Sequence, residues 1–260
     1  MRLFLIRHGE TVDNVAKVCA GTTDSALTNH GMLQIESLGR HFASSQSRVN
    51  TIFASDLSRA RITAEGICRF QTPLPNQPRI SPILTDSLRE RHYGKMEGKK
   101  WIPSGSIEES GIESDRSMIQ RANNFLNEHL LPLILDDPHS VDNVVIIAHG
   151  ILLRRLWTCL MELVNPADVH TAPEKQFDLA VVAKPAWSNT GVTTVLLRQS
   201  RVADSRHPHT LLHGWSITIL DIDNKDHLAN VSRTRGGIGS AAHDAKQEKV
   251  DRFFKRKISP

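Results

Sequence analysis

Apolar positions along this chain follow two rhythms. Leu3–Ile6 is an unbroken apolar run ending at Arg7-His8-Gly9, the pattern of a strand buried on both faces that delivers a loop at its C-terminal edge. From Thr28 to about Ala43 the apolar positions are Met32, Ile35, Leu38 and Phe42, spaced as on one helix face, with Thr28 placed to cap its start. Val49–Ala54 is strand-like again, and Asp56–Phe70 returns to helical spacing through Leu57, Ala60, Ala64 and Ile67. Pro73, Pro75, Pro78 and Pro82 mark a loop. Ile119–Leu135 predicts a further helix that Pro132 kinks or divides. Val144–Ala148 is the clearest strand, running straight into His149-Gly150, and Ile151–Leu163 is helical. Asn165–Ser188 shows no clean period and is expected to be a lid or surface excursion, while Val192–Leu197 and Trp215–Ile222 predict strands that close the sheet.

Strands alternating with helices predict an α/β fold, a three-layer sandwich with a mostly parallel central sheet flanked by helices. Ligands on such sheets gather beyond the strand C-termini. Both Arg7-His8-Gly9 and His149-Gly150 are expected there. A length of 260 residues with 39% hydrophobic and 23% charged content suits one substantial core. We divide the chain into a domain over 1–232 and a basic, flexible tail over 233–260.

Charge supports that division. From Arg233 onward there are eight Lys/Arg against three Asp/Glu, so the tail carries +5 of a net charge of +4 and the body is left at −1. The run Leu3–Ile6 is too short for a signal h-region, and nothing later approaches the roughly 18 apolar residues of a membrane span. The expected compartment is the cytosol, or the nucleus as well. Cys19, Cys68 and Cys159 are odd in number and widely spaced, as suits free thiols rather than disulfides or a zinc cluster. The thirteen histidines come without HExxH or paired-Cys spacing, so chemistry with no metal and no cofactor is expected.

Four blocks carry the candidate chemistry. The first runs Leu3-Phe4-Leu5-Ile6-Arg7-His8-Gly9-Glu10-Thr11 and continues through Asn14, Asp24, Leu27, Thr28, Gly31 and Gln34. The second is Ala54-Ser55-Asp56-Leu57-Ser58-Arg59-Ala60-Arg61-Ile62-Thr63-Ala64, the third Leu88-Arg89-Glu90-Arg91-His92-Tyr93-Gly94-Lys95-Met96-Glu97-Gly98, and the last Ala148-His149-Gly150. In this order they resemble the histidine phosphatase superfamily, the phosphoglycerate mutase-like proteins, over about residues 1–222.

The residue types suit phosphoryl transfer independently of that resemblance. A transferring phosphoryl group spreads negative charge over its equatorial oxygens and needs fixed cations and donors around it. Arg7 and Arg59 can supply bidentate guanidinium contacts, and a neutral His8 imidazole is a competent nucleophile near pH 7. An alkoxide leaves poorly unless protonated, which calls for a general acid. The resemblance assigns that role to Glu90, whose pKa must then be raised by burial or by the phosphate, and which can afterwards activate the hydrolytic water. His149, protonated or donating, would complete the clamp on the oxyanion. The resemblance adds Asn14 and the neighbourhood of Gly21 and Thr22 as phosphate contacts, with Arg91, Tyr93 and Gly150 as further substrate-binding candidates. Here Thr22 stands where an aromatic often follows the Gly. Arg154-Arg155 on the predicted helix reads as a solvated face.

The ester is less determined. Glu90-Arg91-His92-Tyr93-Gly94 is identical to the corresponding stretch of cofactor-dependent phosphoglycerate mutases, whereas Met96-Glu97-Gly98-Lys99-Lys100 looks more like phosphatase branches, notably the fructose-2,6-bisphosphatase-like regulators. The acidic segment Glu108, Glu109, Glu113 and Asp115 lacks the mutases' paired Arg. We therefore expect a phosphatase acting on a small-molecule phosphomonoester, with a bisphosphate-dependent mutase and a catalytically idle binding module as alternatives. In the tail, Gln247, Val250, Phe253 and Phe254 match the spacing of the PCNA-interacting peptide box, so one reading is docking to a sliding clamp (PCNA) and the other is a terminal helix packed on this protein's own sheet. Lys255-Arg256-Lys257 would serve nuclear entry, and no fold for specific nucleic-acid binding is evident.

Overall fold

A computed structural model describes residues 1–44, 48–73, 75, 78–100, 111–175, 177–199 and 210–244. Its centre is a seven-stranded sheet: β1 (Arg2–Arg7), β2 (Thr51–Ser55), β3 (Ile83–Thr85), β4 (Asn143–Ala148), β5 (Val169–Thr171), β6 (Val192–Gln199) and β7 (Trp215–Asn224), in the spatial order β3-β2-β4-β1-β6-β7-β5. β1, β2, β3 and β4 pair in parallel; β6 runs antiparallel to both its neighbours, β1 and β7, and β5 is parallel to β7. Six strands thus point one way and β6 alone is reversed, as the expected mostly parallel sandwich requires.

The unbroken apolar runs exist because successive side chains enter different layers. Leu3 and Leu5 of β1 and Val144, Ile146 and Ala148 of β4 join one core, together with Met118, Phe125, Leu152, Leu156 and Trp157 from the helices on that face. Ile6 of β1 and Val145 and Ile147 of β4 join the other, against Leu38, Phe42, Ala60, Ala64 and Ile67. The helices are α1 (Val12–Ala16), α2 (Asn29–Ser44), α3 (Ser58–Phe70), α4 (Asp115–Phe125), α5 (Leu131–Asp136), α6 (Gly150–Met161) and α7 (Leu179–Ala183). Thr28 caps α2 as its sequence position predicts, its hydroxyl accepting from Gly31 N at 2.9 Å. Pro132 divides its helix: a π turn over Leu126–Leu130 separates α4 from α5, and Leu131 N donates five residues back to Leu126 O. Asn165–Ser188 is less of an excursion than expected, since it contributes the edge strand β5 and buries Trp187.

The tail boundary at residue 233 is corrected. Arg233 reaches back to Glu10, pairing through Nη1 at 2.8 Å and more closely still through Nη2. Asn29 N donates to Ala241 O at 3.0 Å, and His243 N to Leu27 O at 2.8 Å. Residues 233–243 therefore lie on the body, held by backbone pairing and one ion pair that charge counting could not foresee. Gln247, Val250, Phe253 and Phe254 lie outside the described residues. Among the described residues no helix is long and apolar enough to cross a membrane, and Cys19, Cys68 and Cys159 are free thiols, the first half-buried and the others buried.

Candidate active site

Parallel pairing of β1 with β4 sets Arg7 opposite Ala148, so His8 and His149 leave adjacent strand ends side by side. His8 N donates to Ala148 O at 3.1 Å, and the two rings stand 5.0 Å apart, centroid to centroid. The loop after His8 packs against the start of α2, where a Cβ on Gly31 would come within 2.2 Å of Glu10 O. Arg59 arrives from the first turn of α3, and Glu90 from the loop that follows β3. Gly21, in the left-handed region at φ 56°, turns the chain between Ala20 and Thr22.

These residues surround a cavity of about 360 Å³. Arg7, His8, Asn14, Gly21, Arg59, Glu90, Tyr93 and Gly150 line it, and His149 is packed directly against His8. Two candidates are elsewhere. Thr22 gives its hydroxyl to Glu97 at 3.0 Å, with His92 Nδ1 at 2.9 Å, and its backbone N donates to the same Glu97 carboxylate. Arg91 donates through Nε to Glu113 O at 2.8 Å and sits 3.7 Å from Asp115. Neither lines the cavity, because Glu97, the Glu113 carbonyl and Asp115 take up those donors.

Hydrogen bonding settles both imidazoles. His8 Nδ1 lies 2.7 Å from Gly9 O. A carbonyl only accepts, so Nδ1 carries the proton and Nε2 keeps the lone pair. Arg59 Nε donates to His149 Nδ1 at 3.3 Å, which leaves the proton of a neutral His149 on Nε2, a buried donor without a partner. Burial first, then the charges of Arg59 and Arg7, holds His8 well below the ordinary histidine range, and burial with the Arg59 charge does the same for His149. Both shifts favour the neutral ring, in which His149 Nε2–H is a donor.

Arg59 is 1% exposed and more engaged than the sequence implies. Nη1 donates to Thr23 O at 2.7 Å and Nη2 to Gly21 O at 2.6 Å, so it braces the Gly21–Thr23 loop while placing its charge beside His8. Arg7 donates through Nη1 to Trp187 O at 2.8 Å, and its buried Nε is unpartnered. An unpaired buried donor costs about 1–3 kcal/mol, a deficit that an anion's oxygens would relieve. The Glu90 carboxylate accepts from Arg91 N at 2.8 Å and, at the start of α6, from Ile151 N and Leu152 N at 3.2 Å each.

Sequence reasoning missed the rim. Lys17 and Arg154 are exposed and line the same cavity, whose lining also includes half-buried Cys19 and buried Trp187. Arg154 is thus more than a solvated face. Helical spacing was the available signal: Arg154 lies one turn beyond Gly150, and Lys17 one turn beyond Asn14.

Buried neutral histidines have a stability consequence. A folded-state pKa below the unfolded value of about 6.5 means the unfolded chain binds protons first, so stability falls as pH drops below that point. Burial lowers His227 to about 4, which places its contribution between that value and about 6.5. The unfolding temperature is expected to decline across that interval, and His227→Gln to flatten part of the decline. An unchanged slope would show that His227 contributes nothing to the decline.

Comparisons with known proteins give the family and the fold. The model of the histidine phosphatase superfamily (branch 1) matches residues 3–183. A broad-specificity phosphatase of Saccharomyces cerevisiae is 27% identical over 60% of this chain and 68% of that protein. A 2,3-bisphosphoglycerate-dependent phosphoglycerate mutase of a Methylobacterium species is 27% identical over 59% of this chain and 77% of its own length. Among solved structures, phosphoserine phosphatase of Entamoeba histolytica, complexed with phosphoserine, superposes with a TM-score of 0.58 at 21% identity, covering 87% of this chain and 98% of that one; this likeness concerns the fold.

Proposed function

Because the chain belongs to the histidine phosphatase superfamily, we propose that it hydrolyses a small-molecule phosphomonoester through a phosphohistidine on His8. The observation that carries the reading is the His8 tautomer: Nδ1–H is held by Gly9 O, so Nε2 is the free lone pair of a residue lining an arginine-rich cavity. Nε2 attacks phosphorus in line. Arg7, Asn14 and the Nε2–H of His149 receive the equatorial oxygens, and Arg59 contributes charge more than fresh donors. Glu90 gives a proton to the leaving oxygen and later takes one from the attacking water. Its carboxylate accepts three backbone N–H bonds, which hold it at the start of α6 facing the cavity.

Lys17 and Arg154 at the mouth favour substrates that carry a second anionic group beyond the ester. Phosphatase chemistry is preferred over mutase chemistry on the acidic segment after Glu90, with Arg91 engaged by Glu113 and Asp115. With 3-phosphoglycerate and a trace of 2,3-bisphosphoglycerate the expected product is free phosphate. Accumulation of 2-phosphoglycerate would replace the phosphatase by a mutase. Charge reversal by Arg154→Glu is expected to raise KM for an ester bearing a carboxylate or second phosphate by about tenfold, since it removes one exposed charge contact and adds a repulsion of similar size, each up to about 1 kcal/mol. An unchanged KM would exclude Arg154 from substrate selection.

A further inference from the structure

The reversal of β6 has a functional consequence. Because β6 is antiparallel to β1 with Val192 opposite Ile6, the segment entering β6 arrives at the edge where the parallel strands end. That segment, Trp187–Thr190, touches the site at several points. Trp187 O accepts from Arg7 Nη1 at 2.8 Å, and Thr190 N donates to Arg7 O at 3.0 Å. Asn189 Nδ2 donates at 3.0 Å to His8 O and at 3.0 Å to Asn14 Oδ1.

The segment is itself anchored. Ser188 donates through N at 2.8 Å and Oγ at 2.7 Å to the two carboxylate oxygens of Asp223 on β7. Thr190 and Asp223 both hold left-handed backbones, at φ 57° and 49°. Among the described residues Lys17, on the rim of the same cavity, is the one other non-glycine with positive φ. Such conformations persist where the surroundings over-determine them, and here they bracket one loop.

Asn189 has the most specific placement. Asn14 Oδ1 already accepts from Thr11 N at 3.2 Å, and the second donor, Asn189 Nδ2, fixes which way the Asn14 amide faces. Its oxygen is turned to those two donors, which leaves its NH2 as the group available to an oxyanion. An amide rotated by half a turn would offer a phosphate an oxygen instead.

We propose that Asn189 is a positioning residue, which through the carbonyl of His8 and the amide oxygen of Asn14 fixes the backbone of the nucleophile and presents the Asn14 NH2 to the phosphoryl oxygens. The proposal rests on the phosphohistidine reading above. Asn189 touches neither substrate nor phosphorus, so its effect is transmitted entirely by those two contacts.

The test pairs turnover of p-nitrophenyl phosphate with binding of orthovanadate, a mimic of the transferring phosphoryl group, in the full chain. Asn189→Ala is expected to lower kcat/KM and vanadate affinity by about tenfold, and Asn189→Asp, which sets an acceptor against two acceptors, by about a hundredfold, the scale of one lost oxyanion donor. On an Asn14→Ala background, Asn189→Ala is expected to cost less than about threefold, because the amide it orients is gone. A merely structural role would give the same factor with and without Asn14. Asn189→Ala within about twofold of the wild type, or full multiplication of the two losses, overturns the proposal while the wild type still turns over. A wild type that neither binds vanadate nor hydrolyses the ester overturns the phosphohistidine reading, and this proposal with it.

Discussion

His8→Ala is expected to lower kcat/KM for p-nitrophenyl phosphate by about 10⁴-fold or more. His8 is 3% exposed, and its ring is fixed by Gly9 O on one side and by His149 at 5.0 Å on the other, so no second nitrogen stands where Nε2 stands. His149 cannot substitute, because its Nδ1 accepts from Arg59 and its Nε2 bears the proton. What survives in the variant is electrostatic: Arg7, Arg59 and Asn14 still bind a phosphate ester. His8→Asn, which fills more of the space, should lose as much activity and melt closer to the wild type. Equal turnover by wild type and variant would return the protein to the alternative of an idle binding module.

Glu90→Gln is expected to separate substrates by their leaving groups. An alkyl phosphate must have its oxygen protonated, so the loss there should be about 10²–10⁴-fold, the usual contribution of a positioned acid. p-Nitrophenolate leaves without help, and its loss should be far smaller. Structure adds a second effect. One carboxylate oxygen of Glu90 accepts from Arg91 N and Leu152 N, the other from Ile151 N. A glutamine amide must turn its NH2 toward one of these donors, leaving a backbone N–H unpaired at a cost of about 1–3 kcal/mol, visible as a lower unfolding temperature. Equal losses on both substrates would remove Glu90 as the acid and leave it a brace for α6.

The parts of the fold legible in the sequence were those buried on two faces. β1 and β4 read clearly because Leu3, Leu5, Val144 and Ile146 enter one core while Ile6, Val145 and Ile147 enter the other. β3 and β5 left no such trace, since each is a three-residue edge strand with exposed positions. The site divided in the same way. Arg7, His8 and His149 were legible because a parallel sheet sends its strand ends to one place. The destination of the Arg59 donors was not, because it depends on how the Gly21–Thr23 loop folds back over α3. That Thr22 and Arg91 lie off the cavity lining, engaged by Glu97 and Glu113, was not legible either, since those contacts are set by tertiary packing. Asn189 left no signal at all: its role follows from the reversed β6 and the left-handed Thr190, neither of which a polar residue before an apolar run can announce.

The proposed mechanism turns on a covalent phosphoryl group at His8 Nε2. Mixing enzyme with a substrate that turns over slowly after the first transfer, quenching in alkali and mapping the adduct by mass spectrometry would test it directly. The expected result is one phosphoryl group on the peptide containing His8, stable in alkali, lost in acid and missing from His8→Ala. A phosphoryl group on another residue, or steady turnover in His8→Ala with no adduct in the wild type, would contradict it.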